Sequence, residues 1–339
     1  MKEVAVEKAV GTVLAHDLTQ IIPGEYKGPK FKKGHVITEE DIPVMLSMGK
    51  KHLYVLEKDD TDVHENDAAL RIASKAAGNG IKLTDPAEGK IELIAEINGL
   101  LKIYRERLYQ LVAQDEIMFA SIHDNIVVRE GEKLAGTRII PLFVAEEVMQ
   151  KAEAILADGP IIEIVPLKEM RVGVVTTGSE VYSGLIEDAF GPVLVRKFGA
   201  LGSKVEKQLF ADDDDEMIAD CIKQLIDEGM DIIGITGGMS VDPDDRTPSG
   251  IRKAGGEVVS YGAPVLPGAM FMLSYIGDVP VVGLPGCVMY SHTSIFDLIV
   301  PRLLAGEKIT KADINKLAVG GLCLNCEVCT YPICGFGKA

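Results

Sequence analysis

DIIGITGGMSVDPDDRTPSG, residues 231–250, begins with an apolar run, breaks at Gly237-Gly238, crosses a turn rich in aspartate and restarts at Thr247-Pro248. Isoleucines packed that densely suit a strand buried on both faces, and Thr-Pro suits the first turn of a helix. The same order of strand, glycine and helix recurs on either side, in RVGVVTTGSE at 171–180 and VPVVGLPGC at 279–287. Between the first two, Met217, Ile218, Cys221, Ile222, Leu225 and Ile226 form one apolar helical stripe, with the Asp212–Asp215 run at its start and Gly229 past its end. The acidic run is read there as favouring the helix dipole rather than holding a metal. Strands that alternate with helices predict an α/β unit with a mostly parallel sheet in three α/β/α layers over 166–306.

The rest of the chain has another rhythm. At 339 residues, and at ~100–200 residues per domain, two or three domains are expected. We divide the chain into 1–60, a small α+β or mostly-β unit, 61–165, a β-rich middle unit with flanking helices, the α/β unit at 166–306, and a tail at 307–339. In the first unit, PGEYKGPKFKKG (residues 23–34) reads as a lysine-rich loop and Ile42–Met48 as a short helix. In the middle unit Asp67–Ala77 reads as a helix, and GKIELIAEINGLLKIY (residues 89–104) as a hairpin turning at Asn98-Gly99.

Charge restricts the partners. The 35 Lys+Arg against 51 Asp+Glu leave a formal net charge of −16, which repels nucleic-acid phosphates and anionic lipid. Neither nucleic acid nor membrane is an expected partner. The N-terminal MKEVAVEKAV mixes charges into its apolar residues instead of building a signal segment, and Tyr261–Tyr290 is broken by four prolines and Asp278. The expected location is the cytoplasm.

Ligands of open α/β sheets bind beyond the carboxyl ends of the strands, where glycine lets backbone N–H groups approach an oxyanion. The three strand ends are therefore expected to share one crevice. Thr177, Gly178, Ser179 and Glu180 come from the first, Gly237, Gly238 and Ser240 from the second, and Pro285 and Gly286 from the third. Asp245 and Asp242 on the second loop are the candidates for polarising water or holding Mg²⁺. Arg246, Arg252 and Lys253 are the nearest cations.

These residues resemble the molybdenum-cofactor biosynthesis domain shared by molybdopterin adenylyltransferases and molybdotransferases, gephyrin included. The resemblance covers about 168–305. Thr176–Glu180 is similar to that family's TGSE loop, and Ile186-Glu187-Asp188 to its helix-start I-x-D. The 231–245 segment is similar to its TSGGVSVGxxD loop, and Leu266–Gly268 with Gly283–Gly286 to its paired PG loops. The resemblance implies a pterin ligand, molybdopterin or its adenylylated form, and functional roles for Asp245 and Asp188. It implies a homo-oligomer, dimer or trimer, and a molybdoenzyme or another cofactor-biosynthesis protein as partner. Alanine and phenylalanine stand where molybdotransferases carry Ser-Asn, Ala269-Met270 where they carry Lys-Pro, and Cys287 where they carry Asn. Pterin binding is therefore expected to survive better than molybdenum insertion. Residues 1–60 resemble part of the molybdotransferase accessory region, in AVGTVLAHDLTQ and GHVITEEDIPVMLSMGKKHLYVLE.

The tail reads C-x₂-C-x₂-C-x₄-C through Cys323, Cys326, Cys329 and Cys334. Thiols at that spacing suit Zn²⁺ or an iron–sulfur cluster, and the spacing alone does not choose. Gly320-Gly321 ahead of it suggests a mobile arm. The leading expectation is a protein that makes, holds or delivers molybdenum cofactor. The alternatives are a non-catalytic carrier or metal/redox sensor, and a hydrolase of nucleotide derivatives built on the same domain.

Overall fold

The computed structural model describes residues 2–22, 25–56 and 62–338. The N-terminal unit runs β1 (Lys2–Ala5), β2 (Leu18–Ile22), β3 (Tyr26–Phe31), α1 (Asp41–Ser47) and β4 (His52–Val55). The strands pair as antiparallel β1–β4 and β2–β3 around a core that includes Leu14, Ile37, Met45 and Leu53. The lysine-rich stretch read as a loop is thus largely a strand. Phe31 is buried at its end, and a two-stranded ribbon has a free edge on which Pro29 costs no ladder bond.

The middle unit comprises β5 (Val63–His64), α2 (Glu65–Ala76), β6 (Ile81–Leu83), β7 (Ile91–Ala95), β8 (Gly99–Ile103) and α3 (Arg105–Val112). It continues with β9 (Ile117–Ser121), β10 (Val127–Val128), β11 (Lys133–Ile139), β12 (Phe143–Val144), α4 (Glu146–Leu156) and β13 (Ile162–Val165). The expected hairpin at Asn98-Gly99 does not form. β7 joins the sheet β6-β7-β11-β9, whereas β8 joins the sheet β10-β8-β13. Gly99 is there for a close approach: a Cβ on it would stand 2.5 Å from the Val165 carbonyl oxygen. The Asn98 side chain accepts the Glu130 N–H instead of closing a turn. Alternation within β7 and β8 was legible, but the partner of each strand is set by the shared core under α2 and α4.

The α/β unit comprises β14 (Arg171–Thr177), α5 (Ser179–Tyr182), α6 (Phe190–Ala200), β15 (Lys204–Ala211), α7 (Asp215–Asp227), β16 (Ile232–Thr236) and α8 (Thr247–Lys253). It continues with β17 (Glu257–Tyr261), β18 (Met272–Ile276), β19 (Val279–Leu284), α9 (Cys287–Tyr290), α10 (Ile295–Leu304) and α11 (Lys311–Lys316). Its sheet has the order β15-β14-β16-β19-β18-β17, with β15, β14, β16 and β19 mutually parallel and only β18 reversed. Alternate residues of each central strand go to opposite faces. Val172, Val174, Ile232 and Val282 pack with α6 and α10, while Val175, Ile233, Ile235 and Val281 pack with α7 and α8. That is a three-layer α/β/α unit with a mostly parallel sheet.

On the first face the Phe198 and Phe296 rings meet edge to face at 5.1 Å, and full burial of such a ring is worth about 1.5–3 kcal/mol. Lys197 donates to both carboxylate oxygens of Asp297 at 2.9 Å, joining α6 to α10. The Lys102 ammonium, 2.6 Å from Glu307, bridges the middle unit to the α/β unit.

His64 couples the middle unit to pH. It is 3% exposed, its Nδ1 accepts the Asn66 N–H at the start of α2, and its Nε2 has no hydrogen-bond partner. Burial, followed by the nearby Lys33 charge, lowers its pKa to about 4. Between the unfolded value near 6.5 and about 4 the unfolded chain binds the extra proton, so stability is lost as pH falls through that window. We predict that His64→Asn, which keeps an acceptor for Asn66, flattens this fall in urea-midpoint measurements from pH 7 to pH 4. An unchanged slope would remove His64 as the cause.

Candidate functional site

The three strand ends stand side by side because the register pairs Thr176 with Thr236 and Thr236 with Leu284. Behind them lies a knot of buried hydroxyls. Thr177 Oγ1 is 3.2 Å from the Thr236 carbonyl oxygen and 2.9 Å from Thr247 Oγ1, and the Thr247 hydroxyl donates to the Gly237 carbonyl at 2.9 Å. Gly237 and Gly238 have φ of +89° and +52°. A Cβ on Gly237 would stand 2.1 Å from the Thr177 carbonyl oxygen, and one on Gly238 2.9 Å from Thr247 Oγ1. Only glycine lets the second loop fold this tightly onto the first strand end.

In front of the knot is a pocket of about 420 Å³. Gly237, Gly238, Ser240, Asp245, Pro285 and Gly286, all expected from the sequence, line it. So do Phe190, Met239, Ala269, Met270 and Cys287. Met239 had no signal of its own; Phe190, Ala269, Met270 and Cys287 were visible only as departures from the family pattern. The wall is mainly apolar, its polar groups being one hydroxyl, one carboxylate and the backbone of the glycine turns.

The first strand end stands aside from this pocket. Thr177 is buried in the knot, and Gly178, Ser179 and Glu180 do not line the cavity. The Ser179 hydroxyl donates to Asp212 at 2.5 Å and to Asp213 at 3.0 Å, and its N–H donates to Asp213 at 3.0 Å. The hydrogen bond from Ser179 holds the Asp212 carboxyl below its ordinary range. Half of the acidic run thus braces the first turn, while Asp214 alone caps α7 by accepting the Met217 N–H.

The three candidate aspartates do not converge. Asp245 Oδ2 accepts the Asp242 N–H at 3.0 Å and the Asp245 N–H donates to the Asp242 carbonyl at 3.0 Å, which closes the loop on itself. Asp242 is exposed and does not line the pocket. Asp188 caps α6, accepting the N–H groups of Phe190 and Gly191, and also accepts from Gln208 at 2.6 Å. Among the described residues no group of three or more His, Cys, Asp or Glu side chains is placed to hold a metal ion. Of the nearby cations, Lys253 is paired with Glu216 and Asp215, and Arg252 donates to the Pro248 carbonyl and lies over the Tyr261 ring. Arg246 is exposed at the start of α8. The Tyr261 hydroxyl donates to the Met239 and Ser240 carbonyls at 3.2 and 3.0 Å and pins the second loop. Burial, with the Asp245 charge close by, raises its pKa. Burial also raises the pKa of the Cys287 thiol, which disfavours its thiolate.

The tail is no mobile arm. Leu266 exchanges backbone hydrogen bonds with Gly321 and Cys323, the Tyr331 hydroxyl donates to the Asp297 carbonyl, and Phe336 is buried in the core of the α/β unit. A Cβ on Gly321 would stand 2.3 Å from the Pro264 carbonyl oxygen, so the glycine pair serves close contact rather than mobility. Cys323, Cys326, Cys329 and Cys334 all line a second cavity of about 540 Å³.

A parallel sheet with glycine turns and a pocket at its carboxyl edge defines a ligand-binding α/β domain. The family comparison makes the class specific: residues 173–305 match a family described as the probable molybdopterin binding domain, and this unit belongs to that cofactor-biosynthesis domain family. Residues 3–57 match a family described only as a domain of unknown function. A CinA-like protein of Syntrophus aciditrophicus is 32% identical over 88 residues, 26% of this chain and 20% of that protein. A CinA-like protein of Mycobacterium avium is 33% identical over 95 residues, 28% of this chain and 22% of that protein. The chain thus spans about a fifth of the length of these curated relatives. Among solved structures, the molybdopterin biosynthesis enzyme MoaB of Thermus thermophilus aligns at 21% identity with a TM-score of 0.31, covering 41% of this chain and 98% of that one. The tungsten cofactor synthesizing protein MoaB of Pyrococcus furiosus aligns at 20% identity with a TM-score of 0.34, covering 42% and 99%. At these TM-scores the structural overlaps carry no weight of their own.

The junction yields a direct test. Gly237→Ala forces a methyl into the Thr177 backbone at a positive φ and is expected to cost more than about 2 kcal/mol. Gly286→Ala is expected to cost under about 1 kcal/mol, since its φ is −52° and its Cβ would meet no heavy atom within 4 Å. Urea unfolding of the two variants measures both, and equal costs would mean that the Gly237 contact is not a constraint.

Proposed function

We propose that the α/β unit binds molybdopterin, or its adenylylated form, in the pocket formed by the second and third strand-end turns, and that the chain acts in making, holding or delivering molybdenum cofactor. The observation that supports this most is the meeting of the glycine turn 237–238 with the Pro285-Gly286 turn around a pocket whose walls are otherwise apolar. In that reading the glycine amides and Ser240 receive the phosphate end, while Phe190, Met239 and Met270 flank the flat ring system. Thr177 and Asp188 act as positioning residues, the first through Thr247 and the second through α6. Ser179 acts through the brace on the first turn, and Glu180 through its backbone carbonyl, which accepts the Leu185 and Ile186 N–H groups.

The wall composition favours holding over molybdenum insertion. No lysine or arginine side chain lines the pocket, so molybdate would meet one carboxylate and no cation. Of the two loop carboxylates only Asp245 lines the pocket, where with water and the ligand's phosphate it would be the protein's contribution to holding Mg²⁺. The reading includes a cytoplasmic homo-oligomer that passes its pterin to a molybdoenzyme or another cofactor-biosynthesis protein. Among the described residues no helix is long and apolar enough to cross a membrane.

A second reading rests on Asp245, the one carboxylate on the wall: it orients water at the phosphoanhydride of the adenylylated ligand, releasing AMP. General-base assistance of that kind is worth about 10²–10⁴-fold.

Anaerobic purification followed by oxidation and pterin fluorescence tests the binding itself. We expect stoichiometric pterin after incubation with molybdopterin, and at least a tenfold weaker affinity in Gly286→Val, which adds bulk at a lining position of the pocket. Absence of pterin in the wild-type protein would end the proposal. If Asp245→Asn binds pterin but loses AMP release by 10²-fold or more, the hydrolytic reading gains over the carrier.

A further inference from the structure

Apolar side chains that lie open to water gather around the tail. Tyr290 is 81% exposed, Leu324 79% and Ile333 89%, and Leu266, Leu322 and Val328 each leave more than half of their surface in water. They are neighbours. Leu266 and Leu322 form a backbone bridge, Tyr290, Leu322 and Leu324 line the cavity of about 540 Å³, and Val328 and Ile333 adjoin Cys329 and Cys334, which line it too. The loop that carries them is tied at both ends: the Cys323 N–H donates to the Leu266 carbonyl at 2.8 Å, the Gly337 N–H to the Gly320 carbonyl at 2.9 Å, and Phe336 is buried. Their exposure therefore belongs to a held surface rather than to a fraying end.

Charge and shape select what covers this surface. The chain is 25% charged with a formal net charge of −16, yet within residues 317–337 only Glu327 is charged. Among the described residues no Asp, Glu, Lys or Arg side chain lines the cavity. Two molecules this acidic repel one another over most of their surfaces, and on this face they can meet without setting carboxylate against carboxylate. The face is also self-complementary. An aromatic knob, Tyr290, stands with Leu324 at the edge of an uncharged hollow, and a two-fold axis sets the knob of each copy over the hollow of the other. The six apolar side chains together expose on the order of 800 Å², which is what one partner contributes to an interface of standard size. That exceeds the apolar patch of an ordinary monomer.

We propose that this face docks a second copy of the chain about a two-fold axis, with Tyr290 and Leu324 of each protomer entering the cysteine-lined cavity of the other. This names the surface through which the homo-oligomer of the proposed function assembles, and it rests on that part of the reading and not on pterin binding. The face also adjoins the pterin pocket, since the short helix α9 has Cys287 on the pocket at one end and Tyr290 on the cavity at the other.

The test is sedimentation equilibrium of the full chain at micromolar concentration, with reductant present so that no disulfide joins the copies. We expect a dimer, and tighter association as added salt screens the net charge. Leu324→Glu places a carboxylate on both sides of the axis and is expected to weaken the dimer by about a hundredfold or more, with an unchanged circular dichroism spectrum because the side chain is exposed. Tyr290→Ser, which removes the knob without adding charge, is expected to weaken it by at least tenfold. Ile21→Glu, at an exposed apolar position of the N-terminal unit, is expected to leave it intact. A wild-type monomer would end both the oligomer and this interface, and one that sediments with phosphatidylcholine vesicles would give the face to lipid instead. A dimer that survives Leu324→Glu, or that Ile21→Glu breaks as readily, would keep the oligomer and overturn this face alone.

Discussion

The backbone of Gly237 passes against the carbonyl of Thr177 with no room for a side chain, and the rest of the α/β unit is arranged around that contact. The contact allows the second loop to turn back at once after β16. It also places Thr247 where its hydroxyl holds the Gly237 carbonyl, which starts α8 at a defined point. The buried hydroxyls of Thr177 and Thr247 supply what the tight backbone cannot, since an unpaired carbonyl there would cost about 1–3 kcal/mol. Floor, turn and helix start are therefore one cooperative piece.

The electrostatics of the site follow from what the loops left out. The protein carries a formal net charge of −16, and no cationic side chain faces the pocket to offset it. In the proposed reading, an anionic headgroup there would be met by backbone N–H groups and a serine hydroxyl, dipoles that need no counterion of their own. The acidic residues closest to the first turn are held by local hydrogen bonds, Asp212 and Asp213 by those from Ser179, and Asp188 by those from the α6 N-terminus and Gln208. They serve as braces, and the pocket itself meets one carboxylate, Asp245.

Legibility in the sequence varied with the range of the interaction. The α/β unit was readable because strand, glycine and helix succeed one another within a few residues, so local propensity and burial agree along the chain. The Asn98-Gly99 hairpin was misread for the opposite reason. Its turn chemistry was favourable, but β7 and β8 each gain more from partners distant in sequence, β11 and β13. The glycine pair at 320–321 was misread in the same way, as freedom rather than as room for the Pro264 backbone. The cysteine tail was legible as a motif, but that its thiols share one cavity depends on Leu266 and Phe336 anchoring the two ends of the loop.

The amino-acid sequence by itself determined the α/β class, the glycine turns and the residue types available at the strand ends, because these depend on spacing along one short segment. Only the tertiary structure decided which of those residues face the pocket. Ser240, Asp245 and Gly286 came to the pocket, while Thr177, Ser179 and Asp188 turned inward or sideways to hold it. A hydroxyl or carboxylate satisfies whichever donor or acceptor the folded backbone brings within hydrogen-bond range first, and that choice is made by packing between distant segments.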